Sequence, residues 1–229
     1  MGVYLWYEDW WTPGGNTIAY YPLTSTTTVN DQSWNGLNLT WSGTYSFGTY
    51  WGVDCCYINV WELIAAHSET TTLTLSCWYN RQATPNNDTW VTVSVWNSAW
   101  WATPLAIGDN KPNSRPNTSD SQGWIYVFVQ NGTGNSRTAS TDTHITTNTW
   151  HHLCTTCYNG TTKLYVDWQL VNTVSRWSGG FDYIKISRTS PVDRSMKGYI
   201  SECIYERVER TAQEVADYYD ATKSTYGIS

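Results

Sequence analysis

Tryptophan and tyrosine side chains are the residues of this sequence best suited to binding a ligand. The chain has 229 residues, among them 16 Trp and 17 Tyr but only 3 Phe. Two tryptophan clusters stand out: Trp96, Trp100 and Trp101 in the middle of the chain, and Trp6, Trp10 and Trp11 near its start. An exposed indole can stack on a sugar ring while nearby Asn, Asp and Thr supply hydrogen bonds, but aromatic residues also dominate the centres of protein interfaces. Each cluster is therefore a candidate glycan site or subunit contact, and we predict that Trp96, Trp100 and Trp101 bind the ligand.

Two further groups contain residue types that could support catalysis or metal binding. Ser140, Asp142 and His144 are close in sequence, but a nucleophilic triad is defined by its three-dimensional geometry. Cys154 and Cys157 have the spacing of half a zinc site. Alternation along a strand would place these two thiols on opposite faces, and no second pair has the required spacing. Neither group predicts an active site or a zinc site.

The elements that must position these side chains are predicted to be short β-strands. Runs rich in β-branched and aromatic residues recur at 17–23, 72–79, 90–96, 124–130, 150–158, 163–167 and 183–186. Turn-forming residues separate them at 85–88, 131–134, 159–160 and 178–180. The longest predicted loop is 102–123, which is rich in Pro, Asn, Ser and Asp. Many short strands at this spacing predict an all-β, two-sheet sandwich or jelly roll.

One short helix is predicted near the C-terminus. Thr211 and Glu214 have the spacing of a capping box, in which the Thr is the N-cap and the Glu lies three residues later. Aromatic and apolar residues then follow at helical spacing, and we expect the helix to end near Thr222.

Charge and hydropathy exclude two classes of partner. The net charge is −6, and the sequence has no run of Lys or Arg, whereas a nucleic-acid-binding protein needs a basic surface. The longest continuous apolar run, Trp124–Val129, is far too short to span a bilayer. We therefore expect neither a nucleic-acid partner nor a membrane span.

The six cysteines allow two interpretations. They are Cys55, Cys56, Cys77, Cys154, Cys157 and Cys203. They could form three disulfides, or they could be small buried apolar residues of a protein that folds under reducing conditions. The second interpretation is favoured because a domain of this length needs no disulfides to be stable.

The first 16 residues differ from the rest of the chain. They are aromatic and acidic, and they end at the turn-forming residues 13–16. They lack the basic and apolar regions of a signal peptide. We expect an N-terminal arm or edge strand over 1–16 and one domain over 17–229, acting outside the cell or on a virion without a recognisable signal peptide.

Four motifs in the correct order resemble the laminin-G-like domains of the concanavalin A-like superfamily. The opening strand and turn of that family are similar to Ile18–Leu23 (IAYYPL) and Asp31–Gly36 (DQSWNG). Leu75–Tyr79 (LSCWY) resembles the next motif. A hairpin motif is matched by Thr149–Leu153 (TWHHL) and Leu164–Asp167 (LYVD), and the family's last strand and helix by Gly198–Tyr205 (GYISECIY) and the capped helix. The resemblance covers about residues 17–220 and implies a two-sheet antiparallel jelly roll with one short C-terminal helix.

The resemblance also bears on catalysis and on the role of the histidines. The glucanase branch of this superfamily uses an E-x-D-x-x-E pattern, whose alternation places paired acids on one face at the separation a retaining mechanism needs. This sequence contains no such pattern, so we predict that the protein is not an enzyme. The resemblance implies that His151 and His152 belong to the framework of the fold.

Relatives of this fold often hold calcium, which prefers carboxylate, carbonyl and amide oxygens. The acids most suited to that role are Asp31, in the turn motif, and Glu202, on the last strand. Asp31 has a simpler role open to it, which is to cap its own turn through an Asx hydrogen bond. Structural calcium is thus a prediction at these two residues, and no other cofactor is expected.

Trp34 and Trp168 depart from the family pattern, which usually has Gly at both positions. Gly is favoured there because a tight turn often requires a positive φ. Either the two residues are true turn tryptophans, or they are encoded by UGA codons that the source organism reads as glycine.

Three functional hypotheses follow. The first is a non-catalytic recognition module that binds glycans or a cell-surface receptor. The second is a structural virion protein, such as a capsid decoration or fibre component, in which the sandwich and the N-terminal arm make protein contacts in a larger assembly. The third, a glycoside hydrolase, lacks the acid motif.

Overall fold

The computed structural model describes residues 15–26, 29–69, 72–82, 89–98, 102–110, 124–130, 136–175, 180–187 and 197–229. Within these ranges the chain forms thirteen strands, one α-helix and one 3₁₀ helix. The strands are β1 (Thr17–Tyr21), β2 (Thr40–Tyr50), β3 (Val53–Glu69), β4 (Leu73–Arg81), β5 (Thr89–Asn97), β6 (Ala102–Asn110), β7 (Trp124–Gln130), β8 (Ser136–His144), β9 (Trp150–Tyr158), β10 (Thr161–Val166), β11 (Gln169–Val174), β12 (Phe181–Ile186) and β13 (Lys197–Glu206). Helix α1 (Ala212–Thr222) continues into the 3₁₀ helix Lys223–Tyr226. In this part of the chain, no helix is long and apolar enough to cross a membrane.

The strands form two antiparallel sheets that share the long strand β3. The first sheet has the order β11-β10-β9-β4-β13-β3, with β1 also paired to β13, and the second has the order β3-β12-β5-β6-β7-β8. Strand β3 belongs to both sheets because Cys56–Asn59 pairs with β13, whereas most of Leu63–Glu69 pairs with β12. Strand β2 runs beside β3 along most of its length. The predicted all-β, two-sheet architecture with one short C-terminal helix is confirmed.

One apolar core fills the space between the sheets. Leu75, Cys77 and Ile200 enter it from the first sheet, and Val95 and Ile184 enter it from the second. Each fully buried aliphatic side chain stabilises the fold by about 1.5–3 kcal/mol. Because successive strand residues face opposite sides, the neighbours of these residues point away from the core.

A second apolar layer lies on the outer face of the first sheet. There Trp78 and Trp150 pack against Tyr218 and Tyr219 of α1 and Tyr226 of the 3₁₀ helix. The rings of Trp78 and Tyr226 are stacked with their centroids 4.0 Å apart. The C-terminal helix is therefore held to the sheet by aromatic packing.

Helix α1 begins with the predicted capping box. The Thr211 Oγ1 atom accepts a hydrogen bond from the Glu214 N–H at 3.2 Å, and Glu214 Oε2 accepts one from the Thr211 N–H at 2.7 Å. The helix ends at Thr222, as predicted. A cap of this kind typically stabilises a helix by about 1 kcal/mol.

One sequence-based prediction about elements needs correction, and one hairpin was not predicted. The predicted loop 102–123 is wrong over Ala102–Asn110, which forms β6 and pairs with β5 and β7; residues 111–123 lie outside the described ranges. Leu105 and Ile107 are fully buried, so their alternation outweighs the loop-like composition around them. The β2–β3 hairpin is absent from the predicted runs, because Trp51-Gly52 is not a recognisable turn sequence.

All six cysteines are buried free thiols in this structure. Cys157 lies in the core between the sheets, whereas Cys154 packs against Tyr165 and Val215 on the side of α1. The prediction that these two thiols occupy opposite faces of one strand is confirmed, and the pair does not form half of a zinc site.

Candidate functional site

Three tyrosines come together near the end of the first sheet where the β2–β3 hairpin turns. Tyr50 is the last residue of β2, and Tyr57 of β3 lies directly opposite Tyr199 of β13. The neighbouring pair, Cys56 and Ile200, is buried in the core. Alternation therefore turns Tyr57 and Tyr199 to the outer face of the sheet.

The three phenol rings form a continuous aromatic surface. Tyr50 stacks on Tyr199 with centroids 3.9 Å apart and an interplanar angle of 13°, and Tyr57 is tilted against Tyr199 at 5.0 Å. All three residues are half-buried. Pairs of this kind contribute about 0.5–1.5 kcal/mol beyond their buried area, so the rings hold one another in place.

Trp51, in the hairpin turn, also stacks on Tyr50, with centroids 5.0 Å apart and an interplanar angle of 12°. One face of a phenol ring is too small to hold two parallel rings at these distances. Trp51 and Tyr199 therefore cover opposite faces of Tyr50.

A shallow cleft of about 240 Å³ opens beside these rings. It is lined by Ser46, Phe47, Gly48, Thr49, Cys55, Tyr57 and Tyr199, none of which carries a charged side chain. The volume lies a little below that of typical small-molecule sites, and it suits one sugar ring better than an extended ligand. Tyr57 and Tyr199 line the cleft, and Tyr50 stacks on Tyr199 beside it. We call the cleft and these three rings the tyrosine cleft.

Polar groups border the aromatic surface. The Tyr50 hydroxyl donates to Gln82 Oε1 at 3.3 Å and lies 3.5 Å from Asn148 Oδ1. Gln82 Nε2 donates in turn to Asn80 Oδ1 at 2.7 Å. Burial, with a smaller contribution from the Tyr50 phenol, raises the pKa of Tyr199, so its hydroxyl stays neutral and can both donate and accept hydrogen bonds.

Gly198 sets the position of Tyr199. A Cβ atom at residue 198 would lie 2.3 Å from the Asn80 carbonyl oxygen and 3.0 Å from Tyr79 Cε2. Only glycine allows β13 to approach β4 this closely. The close approach at Gly198 therefore sets the position of β13, which carries Tyr199, relative to β4.

The tyrosine cleft was not predicted from the sequence. Tyr199 lies within the last family-like motif, but Tyr50 and Tyr57 belong to the β2–β3 hairpin, which has no recognisable turn sequence. The pairing of Tyr57 with Tyr199 could be found only from the register of β3 against β13.

Of the predicted ligand-binding residues, the structure describes Trp96. It is half-buried on the outer face of the second sheet, where Lys185 Nζ lies 4.6 Å from the centre of its ring. Lys185 also pairs with Glu62 at 2.9 Å. Trp100 and Trp101 lie outside the described residues, as do Trp6, Trp10 and Trp11, so ligand binding by these clusters stays a prediction.

Asp31 is the centre of a dense hydrogen-bond network. Its Oδ1 atom accepts from the backbone N–H groups of Tyr20 at 3.0 Å and Ser33 at 2.8 Å. Its Oδ2 atom accepts from the Leu37 N–H at 3.0 Å and the Ser33 hydroxyl at 2.8 Å. The bond to the Ser33 N–H is the predicted Asx-type cap, and the carboxylate also ties this turn to β1.

Glu202 lies on β13 under the C-terminal helix. Its Oε2 atom accepts a hydrogen bond from the Tyr218 hydroxyl at 2.5 Å, and burial raises its pKa. Among the described residues, no three His, Cys, Asp or Glu side chains are grouped so that they could hold a metal ion. Calcium binding at Asp31 and Glu202 stays a prediction, and it would have to replace these hydrogen bonds.

Thr146, His151 and Asp167 form a hydrogen-bonded chain. Thr146 Oγ1 lies 3.3 Å from His151 Nε2, and His151 Nδ1 lies 2.7 Å from Asp167 Oδ2. The Thr146 N–H also donates to the same His151 Nε2 at 3.3 Å, so the lone pair that a general base would need is already engaged. The other Asp167 oxygen accepts the His152 N–H at 2.9 Å, and burial lowers the pKa of His152 to about 4. This arrangement fits the framework role expected for both histidines.

The structure is similar to several binding domains of known structure. The ligand-binding domain of botulinum neurotoxin serotype D, solved with N-acetylneuraminic acid, has a TM-score of 0.69 and 12% identity, covering 90% of this chain and 51% of that one. The binding domain of Paraclostridial Mosquitocidal Protein 1 has a TM-score of 0.71 and 13% identity, and the match covers 95% of this chain and 56% of that one. This chain spans about half the length of those two domains.

A third similar structure is domain 4 of an extracellular arabinanase from Geobacillus stearothermophilus, solved with arabinotriose. Its TM-score is 0.64 at 16% identity, and the match covers 88% of this chain and 97% of that one. Identities this low show a shared fold and no more.

The family is shown by the sequence itself. No curated protein sequence is significantly similar to this chain. The family model described as the concanavalin A-like lectin/glucanases superfamily matches residues 57–216, which is more than half of the chain. The chain therefore belongs to the concanavalin A-like lectin/glucanase superfamily.

Proposed function

We propose that the protein is a non-catalytic recognition domain that binds neutral glycans at the tyrosine cleft. The observation that carries this proposal is the set of three half-buried phenol rings beside an uncharged cleft of about 240 Å³. A sugar presents an apolar face, which can lie on an aromatic ring, and hydroxyl groups at its edge. The hydroxyl-bearing residues of the lining, Ser46, Thr49, Tyr57 and Tyr199, can supply partners for that edge.

The electrostatics of the cleft favour a neutral ligand. None of its lining side chains is charged, and the whole chain carries a net charge of −6. The closest acid along the chain is Asp54, beside the lining residue Cys55, and its carboxylate accepts hydrogen bonds from Ser25. A sialylated glycan would meet no cation among the lining residues, so we expect neutral sugars to bind more tightly.

The same composition argues against hydrolysis in this cleft. Glycosidases of the usual retaining or inverting kind need two carboxyl groups flanking the scissile bond. The residues that line the cleft include no carboxylate. Similar domains add support, because the arabinanase domain was solved with arabinotriose and the serotype D domain with N-acetylneuraminic acid.

Titration calorimetry tests the proposal with arabinotriose, a panel of other neutral oligosaccharides, and N-acetylneuraminic acid. We expect a neutral sugar to bind and Tyr199→Ala to weaken it about tenfold, since the loss of one stacking ring removes about 1–1.5 kcal/mol. Tyr183→Ala, which removes a half-buried tyrosine from the second sheet, is the matched control and should bind like the parent protein.

Two results would contradict the proposal. One is the absence of binding to any sugar at millimolar concentration, which would favour a purely structural role such as that of a virion protein. The other is loss of binding in a Trp96→Ala variant with full binding in Tyr199→Ala. That result would move the site to the outer face of the second sheet.

We also propose that the domain acts on a cell or virion surface, attached to a larger assembly through residues 1–16. The aromatic composition of that segment supports this proposal, since such residues are common in interface cores. Imaging the native assembly that contains the chain is the test, and a domain with no attached partner would contradict it.

A further inference from the structure

Three tryptophans lie in turns whose backbone is left-handed. The φ angle is 72° at Trp34, 51° at Trp51 and 67° at Trp168. A bulky L-residue clashes with its own backbone in this conformation, whereas glycine does not. All three residues are exposed, by 91%, 69% and 46% respectively, so burial of the indole offsets the strain least at Trp34 and most at Trp168.

Hairpin turns within the same chain provide a comparison. Three hairpins turn through two residues with positive φ at both: Trp51-Gly52 at 51° and 82°, Asn159-Gly160 at 45° and 78°, and Asp167-Trp168 at 47° and 67°. Such turns strongly favour Asn-Gly, Asp-Gly and Gly-Gly. Asn159-Gly160 obeys this preference. With glycine at positions 51 and 168, the other two turns would read Gly-Gly and Asp-Gly and would obey it as well.

Two described tryptophans, Trp78 and Trp150, provide the contrast. Trp78 and Trp150 lie on strands, are 0% and 2% exposed, and pack in the layer beneath the C-terminal helix. Leu23 and Ser187, which also have a positive φ, are fully buried and held by the surrounding structure. Among the described residues, Trp34, Trp51 and Trp168 are the large apolar side chains that combine a positive φ with an exposed position.

We infer that positions 34, 51 and 168 are glycines in the native protein, encoded by UGA codons. UGA is read as tryptophan in some bacterial genetic codes and as glycine in others. Trp78 and Trp150 are true tryptophans, encoded by UGG. The inference extends the expectation for positions 34 and 168 to position 51 and separates the turn positions from the core positions.

Glycine at position 51 changes the tyrosine cleft. The indole of Trp51 covers the face of Tyr50 that Tyr199 leaves free, at a centroid distance of 5.0 Å. Without the indole, that face is open and has the area and orientation to stack on one sugar ring. This second step rests on the proposed function, because it places a neutral pyranose or furanose where the indole now lies.

The codons of the gene and the peptide masses of protein from its natural source test the first step. We expect UGA codons and glycine masses at positions 34, 51 and 168, and UGG codons and tryptophan masses at 78 and 150. Tryptophan masses at the three turn positions would overturn the inference.

Stability provides an independent test with recombinant protein of the printed sequence. Each of Trp34→Gly, Trp51→Gly and Trp168→Gly should raise the folded-to-unfolded ratio by a factor of roughly 2–10 and raise Tm, because relief of the left-handed strain outweighs the greater freedom of glycine in the unfolded chain. The rise should be smallest for Trp51→Gly, which also loses the stacking of the indole on Tyr50. Trp78→Gly, the matched core control, should lower Tm sharply. A fall in Tm for the three turn variants would contradict the inference.

Calorimetry with arabinotriose and the neutral panel separates the two steps. Trp51→Gly should bind at least as tightly as the parent chain, and Tyr199→Ala introduced into that variant should weaken it. Weaker binding by Trp51→Gly, together with glycine masses in the native protein, would refute the open Tyr50 face and leave the codon assignment intact. No binding by either form would refute the proposed glycan function itself.

Discussion

Replacement of Gly198 by alanine tests the packing that positions the tyrosine cleft. The added Cβ would lie 2.3 Å from the Asn80 carbonyl oxygen, and that oxygen belongs to the backbone of the paired strand, so no side-chain rotation relieves the clash. Strands β13 and β4 would have to move apart. Overpacking of this kind costs about 1–3 kcal/mol, and the upper end applies to a backbone clash.

Part of this cost is offset in the unfolded state. Alanine has less backbone freedom than glycine there, which stabilises the folded protein by about 0.4–1 kcal/mol. The net loss is therefore about 2 kcal/mol for Gly198→Ala. In a domain of this size, 1 kcal/mol corresponds to about 2–4 °C, so Tm should fall by about 4–8 °C.

Differential scanning calorimetry measures this change, with Gly48→Ala as the control. Gly48 also lies on a strand, but a Cβ there would meet nothing within 4 Å, so its Tm should not fall. Equal Tm values for the Gly198→Ala and Gly48→Ala variants would refute the close approach of β13 to β4. Displacement of β13 should also move Tyr199 and weaken glycan binding.

The remaining predictions concern the helix cap, two titrating groups and calcium. Thr211→Ala should lose about 1 kcal/mol in thermal unfolding, whereas Thr211→Ser should keep the cap and its stability. His152 has a pKa lowered to about 4, below its unfolded value of about 6.5, so stability should be lost as pH falls through this window, by up to about 3 kcal/mol. Denaturant titrations across this pH window should show that the free energy of unfolding depends less on pH in His152→Gln than in the parent protein. An equal pH dependence would contradict the buried neutral ring. Burial raises the pKa of Glu202 above its unfolded value, so the free energy of unfolding should fall as pH rises through the folded pKa. Because Gln does not titrate, the Tm of Glu202→Gln relative to that of the parent protein should rise with pH. If calcium binds at Asp31 and Glu202, millimolar calcium should raise Tm, and Asp31→Asn should abolish the rise; an unchanged Tm would count against the site.

Those features of the fold that depend on local sequence could be predicted. The capping box at Thr211 and Glu214 is specified by two residues three positions apart, and the structure has both of its hydrogen bonds. The opposite orientation of Cys154 and Cys157 follows from strand alternation alone. The β2–β3 hairpin was missed because its turn, Trp51-Gly52, has a tryptophan where turn chemistry favours Asn, Asp or Gly.

The site could not be predicted in the same way. The tyrosine cleft depends on the register of β3 against β13, which are separated by most of the chain and are brought together by burial of Cys56 and Ile200. The tryptophan cluster of the sequence points to Trp96, but the structure places the ring of Trp96 beside the Lys185–Glu62 ion pair. Tyr57 and Tyr199 have no local signal that distinguishes them from tyrosines of the core.

The turn and the cleft meet at Tyr50, and this connection decides how binding should be measured. Tyr199 covers one face of the Tyr50 ring, and the Tyr50 hydroxyl donates to Gln82, so the Tyr50 ring is fixed before any ligand arrives. A fixed ring loses little freedom on binding, which favours affinity. The residue at position 51 then determines whether the second face is covered by an indole or open to a sugar. Affinities measured only on the tryptophan form would therefore underestimate those of a native glycine form, and the two should be compared in the same experiment.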